Sequence, residues 1–160
     1  MTGQPFGPDD SREWLRRARG NLRLASVTDP EVPLEEPCYN AQQAAEKAIK
    51  GDFVSLGKPF PYTHNLKRLL DLIAEMMPVP ANKLPVGELT RFALEARYPG
   101  VAPQVTPQQR SEFLGIAEAT VKWRRGDYLG GQRRARRPLK LLFPGPDEIR
   151  IIDVCGMLVC

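Results

Sequence analysis

The chain has 160 residues, 42% of them hydrophobic and 26% charged, a size and balance that suit one globular domain with its own core and leave no room for two. No apolar run approaches the 18 or so residues of a membrane span, and the N-terminus lacks the basic and apolar regions of a signal peptide, so a cytoplasmic location without a membrane partner is expected. Net charge is +4, yet residues 1–123 hold 15 Lys or Arg against 15 Asp or Glu, so the excess belongs to residues 124–160 and any pull on nucleic acid by the domain must come from local faces.

Residues 1–10 are Gly- and Pro-rich and are expected to be poorly ordered. Asp10, with Glu13 three residues later, reads as a capping box opening a helix to about Ser26, with Trp14, Leu15, Ala18, Leu22 and Ala25 inward. Its outer face stacks Arg12, Arg16, Arg19 and Arg23, which is either a phosphate-tracking stripe or a solvated helix face. The acidic, proline-punctuated loop from Thr28 to Pro37 leads into the central element.

A long helix is predicted from Glu35 to Leu56, with Pro37 in its first turn and strong helix formers through its centre. At about 100° per residue, Cys38, Ala45, Ile49, Phe53 and Leu56 share one stripe, flanked by Ala41 and Ala48, with Gln43, Lys47 and Lys50 opposite. Gln42 falls inside the stripe, where its amide needs partners. The small side chains of Cys38, Ala41 and Ala45, with Gln42, Ile49 and Asp52, form a seam for a neighbouring helix or a second copy, and homodimerisation is expected from it. Gly51-Asp52 implies either a bend or an acid facing a partner's cation. The helix should fray near Gly57, before Lys58-Pro59-Phe60-Pro61 forces an extended connection.

Thr63 is placed to cap a third helix burying Leu66, Leu69, Leu70, Ile73 and Met77, which Pro78 and Pro80 stop. A fourth, from about Glu88, turns Leu89, Phe92, Ala93 and Ala96 inward and ends at Tyr98-Pro99-Gly100. Thr106-Pro107-Gln108-Gln109 starts a fifth, running to about Trp123. The expected fold is an all-α, antiparallel up-and-down bundle of four main helices plus a shorter fifth over residues 11–123. Residues 124–160 form an irregular, basic, Gly/Pro-rich tail of no assigned role, in which the β-branched stretch Ile149–Cys160 is able to pair as a strand.

The run Gln42-Gln43-Ala44-Ala45-Glu46-Lys47-Ala48, then Thr63-His64-Asn65-Leu66, then Ala96-Arg97-Tyr98-Pro99-Gly100, preceded by Trp14-Leu15-x-x-Ala18-x-x-Asn21-Leu22, resembles the HEPN domain over about residues 11–123. That resemblance implies nucleotide or RNA binding, a homodimer, and operation beside a small nucleotidyltransferase. Many relatives cleave RNA without metal through an Arg followed four to six residues later by a His, and this chain departs from that pattern. Its single His, His64, lies 41 positions after the nearest preceding Arg, Arg23. No catalytic residue is therefore assigned. A divergent ribonuclease toxin of a toxin–antitoxin pair, keeping Arg97 and recruiting His64, is the enzyme alternative, and a purely structural dimerisation domain is the third.

Candidate ligand contacts are Arg97, Tyr98, His64, Gln42 and Lys47. Arg97 and Tyr98 suit a phosphate and a base, or else Arg97 pairs with Glu46 or Glu95 while Tyr98 plugs the helix end. His64 either hydrogen-bonds a nucleotide or pins its loop to the central helix. Lys47 and Lys50 have a plainer reading as solubilising residues, Glu46 and Lys50 being an ordinary i,i+4 pair. No metal site or cofactor is expected: Cys38 sits apart from Cys155 and Cys160, and one histidine does not complete a zinc site.

Overall fold

The computed structural model describes residues 6–79, 85–93 and 104–130. Its elements are α1 (Ser11–Ala25), α2 (Glu35–Ser55), α3 (Leu66–Ala74), a 3-10 segment (Val86–Ala93) and α4 (Pro107–Gly130), with no strand among the described residues. The fold is all-α and antiparallel up-and-down, and α2 is its axis, touching α1, α3, the 3-10 segment and α4. Asn21 of α1 donates to Asn40 of α2 at 2.9 Å. At the opposite end, Trp14 and Phe53 both meet Phe60 edge-to-face. The start of α1 therefore lies by the end of α2, and the two helices run antiparallel.

Local chemistry explains the ends. Asp10 accepts from Arg12 N at 2.8 Å, but Glu13 turns to Arg16 and Arg17 instead of back to the cap, so only half of the expected capping box forms. At α4 the box is complete: Thr106 Oγ1 accepts from Gln109 N at 3.2 Å and Gln109 Oε1 accepts from Thr106 N at 3.0 Å. The cap of α3 is Asn65, whose side chain accepts from Arg68 N, and not Thr63, which supports the turn one step earlier by accepting from Asn65 N. The end of α2 is sharply closed. Gly57 takes φ 64°, Lys58 N donates to Phe53 O and Gly57 N to Val54 O, the two bonds of a Schellman motif. Leu56 falls at this cap and is exposed, so it leaves the apolar stripe expected of it.

Burial of α2 differs most from expectation. Cys38, Ala41, Ala45, Ile49 and Phe53 join the larger core with α3, the 3-10 segment and α4, while Ala44 and Ala48 pack with Leu15, Ala18 and Val121 in a second cluster. Lys50 and Glu46 are buried as well. The helix is enclosed on nearly every side because α1 and α4 flank it, so its solvent face is far narrower than a two-sided pattern implies. Gly51 and Asp52 are buried within an unbroken helix. The seam residues Cys38, Ala41, Gln42, Ala45, Ile49 and Asp52 are accordingly buried within one chain, on a helix that its neighbouring helices cover.

The fourth element is a 3-10 segment that opens at Val86, with Leu89, Phe92 and Ala93 buried; Ala96 and the Tyr98-Pro99-Gly100 stop lie outside the described residues. Helix α4 continues seven residues past Trp123 to Gly130, and the strand reading of 149–160 lies outside the described residues. No described helix is long and apolar enough to cross a membrane.

Enclosure of α2 on two sides has a direct consequence. Ala44→Leu and Ala45→Leu should each lose about 1–3 kcal/mol of unfolding free energy in urea titrations, because both insert three heavy atoms into filled space. If one of the two were neutral, that face of α2 would be open.

Candidate functional site

Along the middle of α2 the side chains form one continuous polar network. Lys47 Nζ donates to Gln43 Oε1 at 2.8 Å, Gln43 Nε2 to Gln42 Oε1 at 2.8 Å, and Gln42 Nε2 to Glu46 Oε2 at 2.7 Å. Lys50 Nζ donates to Glu46 Oε1 at 2.8 Å. From the loop before α3, His64 brings Nδ1 to 3.0 and 3.1 Å from the two carboxylate oxygens. Helical spacing makes this possible, since residues 42, 46 and 50, and likewise 43 and 47, follow one another at i,i+4.

Glu46 is the hub. Its side chain is 7% exposed and that of Lys50 is 9%, so the pair lies in a medium where charge is costly unless matched. Burial pulls the Glu46 carboxyl upward, but the Lys50 hydrogen bond and charge, with help from His64 and Gln42, outweigh it and hold the group below its ordinary value. Glu46 is then ionised and has only lone pairs to offer, so His64 Nδ1 must carry the hydrogen. The ring is 42% exposed, and among the described residues its other nitrogen makes no hydrogen bond.

Positive charge gathers around this carboxylate. Burial lowers the Lys47 ammonium below its ordinary value; Glu46 opposes that shift, while Arg17 and Lys50 add to it. Arg17 and Arg16 share Glu13 at 2.8 Å each, which pushes the Glu13 carboxyl down to about 2. Arg16 and Arg17 thus gather at Glu13, and Lys50 and His64 at Glu46 with Lys47 near by. On α1, Arg12 pairs with Asp10 at 2.6 Å, so Arg12 and Arg16 of the arginine stripe are tied to local acids, while Arg19 and Arg23 are exposed.

The structure brings together His64, Gln42 and Lys47 of the expected ligand contacts. Gln42 is fully buried with both ends of its amide engaged, donating to Glu46 and accepting from Gln43. Lys47 is half-buried. The view of His64 as a pin between loop and central helix matches its geometry. Arg97 and Tyr98, and the pairing of Arg97 with Glu46 or Glu95, lie outside the described residues. Lys50, taken as a solubilising residue, is instead an internal cation whose ammonium also sits 5.2 Å from the Phe60 ring centre. Nothing in a periodicity argument marked it, because its angular position is that of a solvent face. Arg110 was also missed: from α4 it donates to Ala25 O at 3.2 Å and Val27 O at 2.7 Å and locks the end of α1. Cys38, in the core, has its thiol pushed up to about 11, by burial first, with Arg110 opposing.

A family model of the HEPN domain matches residues 11–126. The crystal structure of an archaeal HEPN homologue superposes with a TM-score of 0.57 at 22% identity, covering 74% of this chain and 97% of that one. No curated protein matches the chain.

Glu46→Gln should cost about 3–5 kcal/mol at neutral pH, since it strands the Lys50 ammonium, and adding Lys50→Met should recover most of the loss. Acid should act in the same sense. Glu46 and Glu13 both have folded values below the ordinary 4.5, so the stability they contribute is complete above about pH 4.5 and is lost as pH falls through their folded values, for Glu13 between about 4.5 and 2. Urea midpoints measured down that range should fall, less steeply for Glu13→Gln; an unchanged slope in that variant would contradict the pairing.

Proposed function

The chain belongs to the HEPN domain family, and from that premise we propose that it is a non-catalytic module that binds nucleotide or RNA, acting as a homodimer beside a small nucleotidyltransferase. The observation that carries the reading is the half-buried Lys47, whose ammonium hydrogen-bonds only the neutral Gln43 among the described residues, while the adjacent Glu46 carboxylate is matched by Lys50. Lys47 is crowded by Arg17 and Lys50, so a phosphate at its half-exposed ammonium relieves repulsion as it binds. His64, oriented by Glu46, offers an imidazole edge beside it. Arg97 and Tyr98 enter this reading from the sequence, as grip and stacking partner. Homodimerisation and the nucleotidyltransferase partner rest on what the family resemblance implies.

One observation favours the ribonuclease alternative: a carboxylate holding one imidazole nitrogen leaves the other directed as a base, the arrangement general-base chemistry uses. Against it stands the absence of any Arg four to six residues before His64. The residue at that spacing is Lys58, six before His64, a point charge without the guanidinium fork that grips the charge developing on a cleaved phosphate.

Affinity for ATP by calorimetry and for a fluorescein-labelled RNA octamer by anisotropy should fall at least fivefold in Lys47→Gln and in Arg97→Ala, and should weaken with added salt. Unchanged affinity in both variants removes them from the site. Growth arrest on expression that His64→Ala abolishes would replace this reading with the ribonuclease.

A further inference from the structure

Among the residues whose side chains are described, residues 6–79, 85–93 and 104–123, only one aromatic has its whole surface in water: Tyr62, at 100% exposure. Phe6 is partly covered by the Arg12 guanidinium, 4.2 Å from its ring centre, and the other aromatics in those ranges are buried or half-buried. A lone exposed ring at a loop tip is ordinarily unremarked surface, but the segment that holds this one is anchored on both sides. On one side Phe60 lies edge-on to Trp14 at 5.2 Å and to Phe53 at 6.3 Å between ring centres, with the Lys50 ammonium over its face. On the other, His64 is fixed to the Glu46 carboxylate.

Between these anchors Thr63 N donates to Pro61 O at 2.9 Å. That bond spans residues i and i+2 and puts Tyr62 at the apex of a three-residue turn, an inverse γ-turn since no described non-glycine residue has positive φ. Pro59 and Pro61 restrict the residues before them as well as themselves. The chain thus holds the Tyr62 backbone in one outward position, so that only the side-chain torsions remain to be fixed when something stacks on it. Its neighbours in the chain include no acid: residues 57–65 contain the exposed Lys58 and the half-exposed His64 and no carboxylate.

We propose that Tyr62 is a base-stacking residue for a nucleotide or for single-stranded RNA, with Lys58 and His64 taking the adjoining phosphate or sugar. A flat π-face in water, with a lysine and an imidazole in the same loop, is what a nucleobase followed by a phosphate recognises, whatever the base, and it suits single strands because their bases are free to splay out. The inference rests on the nucleotide- or RNA-binding reading above and adds to it the residue that receives the base.

The test uses the full chain with two probes, ATP and a fluorescein-labelled RNA octamer, so that a mononucleotide and a strand are distinguished. Tyr62→Ala should weaken the bound probe roughly five- to hundredfold, as loss of one stacking platform does, while Tyr62→Phe stays within about twofold. The melting temperature should not move in either variant, since the side chain touches nothing. Lys58→Gln should reduce the dependence of log affinity on log salt by about one contact. If wild type binds a probe and Tyr62→Ala binds it equally, the assignment of Tyr62 fails and the function stands. If wild type binds neither, both fall. A shift of Tyr62→Ala from dimer to monomer on light scattering with unaltered RNA affinity would likewise overturn it, making Tyr62 a contact between copies.

Discussion

A buried carboxylate, Glu46, sets the terms for the rest of this bundle. Taken from water it needs matching charge, and α2 supplies that one turn on as Lys50, at 2.8 Å. A hydrogen bond from outside the helix, donated by His64 Nδ1, adds to it. Since the loop before α3 must stay where His64 meets Glu46, that contact fixes the entry to α3, and with it the Asn65 cap. Electrostatics here registers loop against helix as much as it stabilises either, a use of buried charge that apolar packing alone does not replace.

The same helix could not be enclosed without small residues. Ala41 and Ala45 face one cluster and Ala44 and Ala48 the other, so α1 and α4 approach from both sides and leave only a narrow polar strip to meet solvent. That strip is the Gln43–Lys47 edge with His64 above it. A site built this way is rigid because its side chains satisfy one another in sequence. It is also positive, because Lys47 adds a cation beyond the Lys50–Glu46 pair. Both properties suit recognition of phosphate more than a mobile catalytic step.

Much of the fold was legible in the sequence where the signal was local. Thr106, Pro107 and Gln109 announced the start of α4, and all act within one turn. Pro37 and Gly57 bracketed α2, although Gly57 closes the helix firmly instead of letting it fray. Less was legible where several elements converge. Periodicity put Lys50 toward water because an angle on one helix carries no information about a second or third helix packed over it. Thr63 and Asn65 are both capping types two residues apart, and the His64–Glu46 contact, not propensity, fixes the turn so that Asn65 caps α3. At the candidate site the sequence gathered His64 and Lys47 through resemblance, but Glu46 appeared only as a pairing option, and Tyr62 carried no motif. Its role follows from exposure and from the turn beneath it, which only three-dimensional packing reveals.

The most direct measurement of the central claim uses the fact that His64 is the chain's single histidine, so its ring nitrogens are unambiguous in a long-range proton–nitrogen correlation spectrum. With an ionised Glu46 as acceptor, the neutral ring must carry its hydrogen on Nδ1, the less favoured tautomer of free imidazole. The account predicts that Nδ1–H form in wild type and its loss in Glu46→Ala. A wild-type ring protonated on Nε2, or averaging between the two forms as a free side chain does, would contradict it.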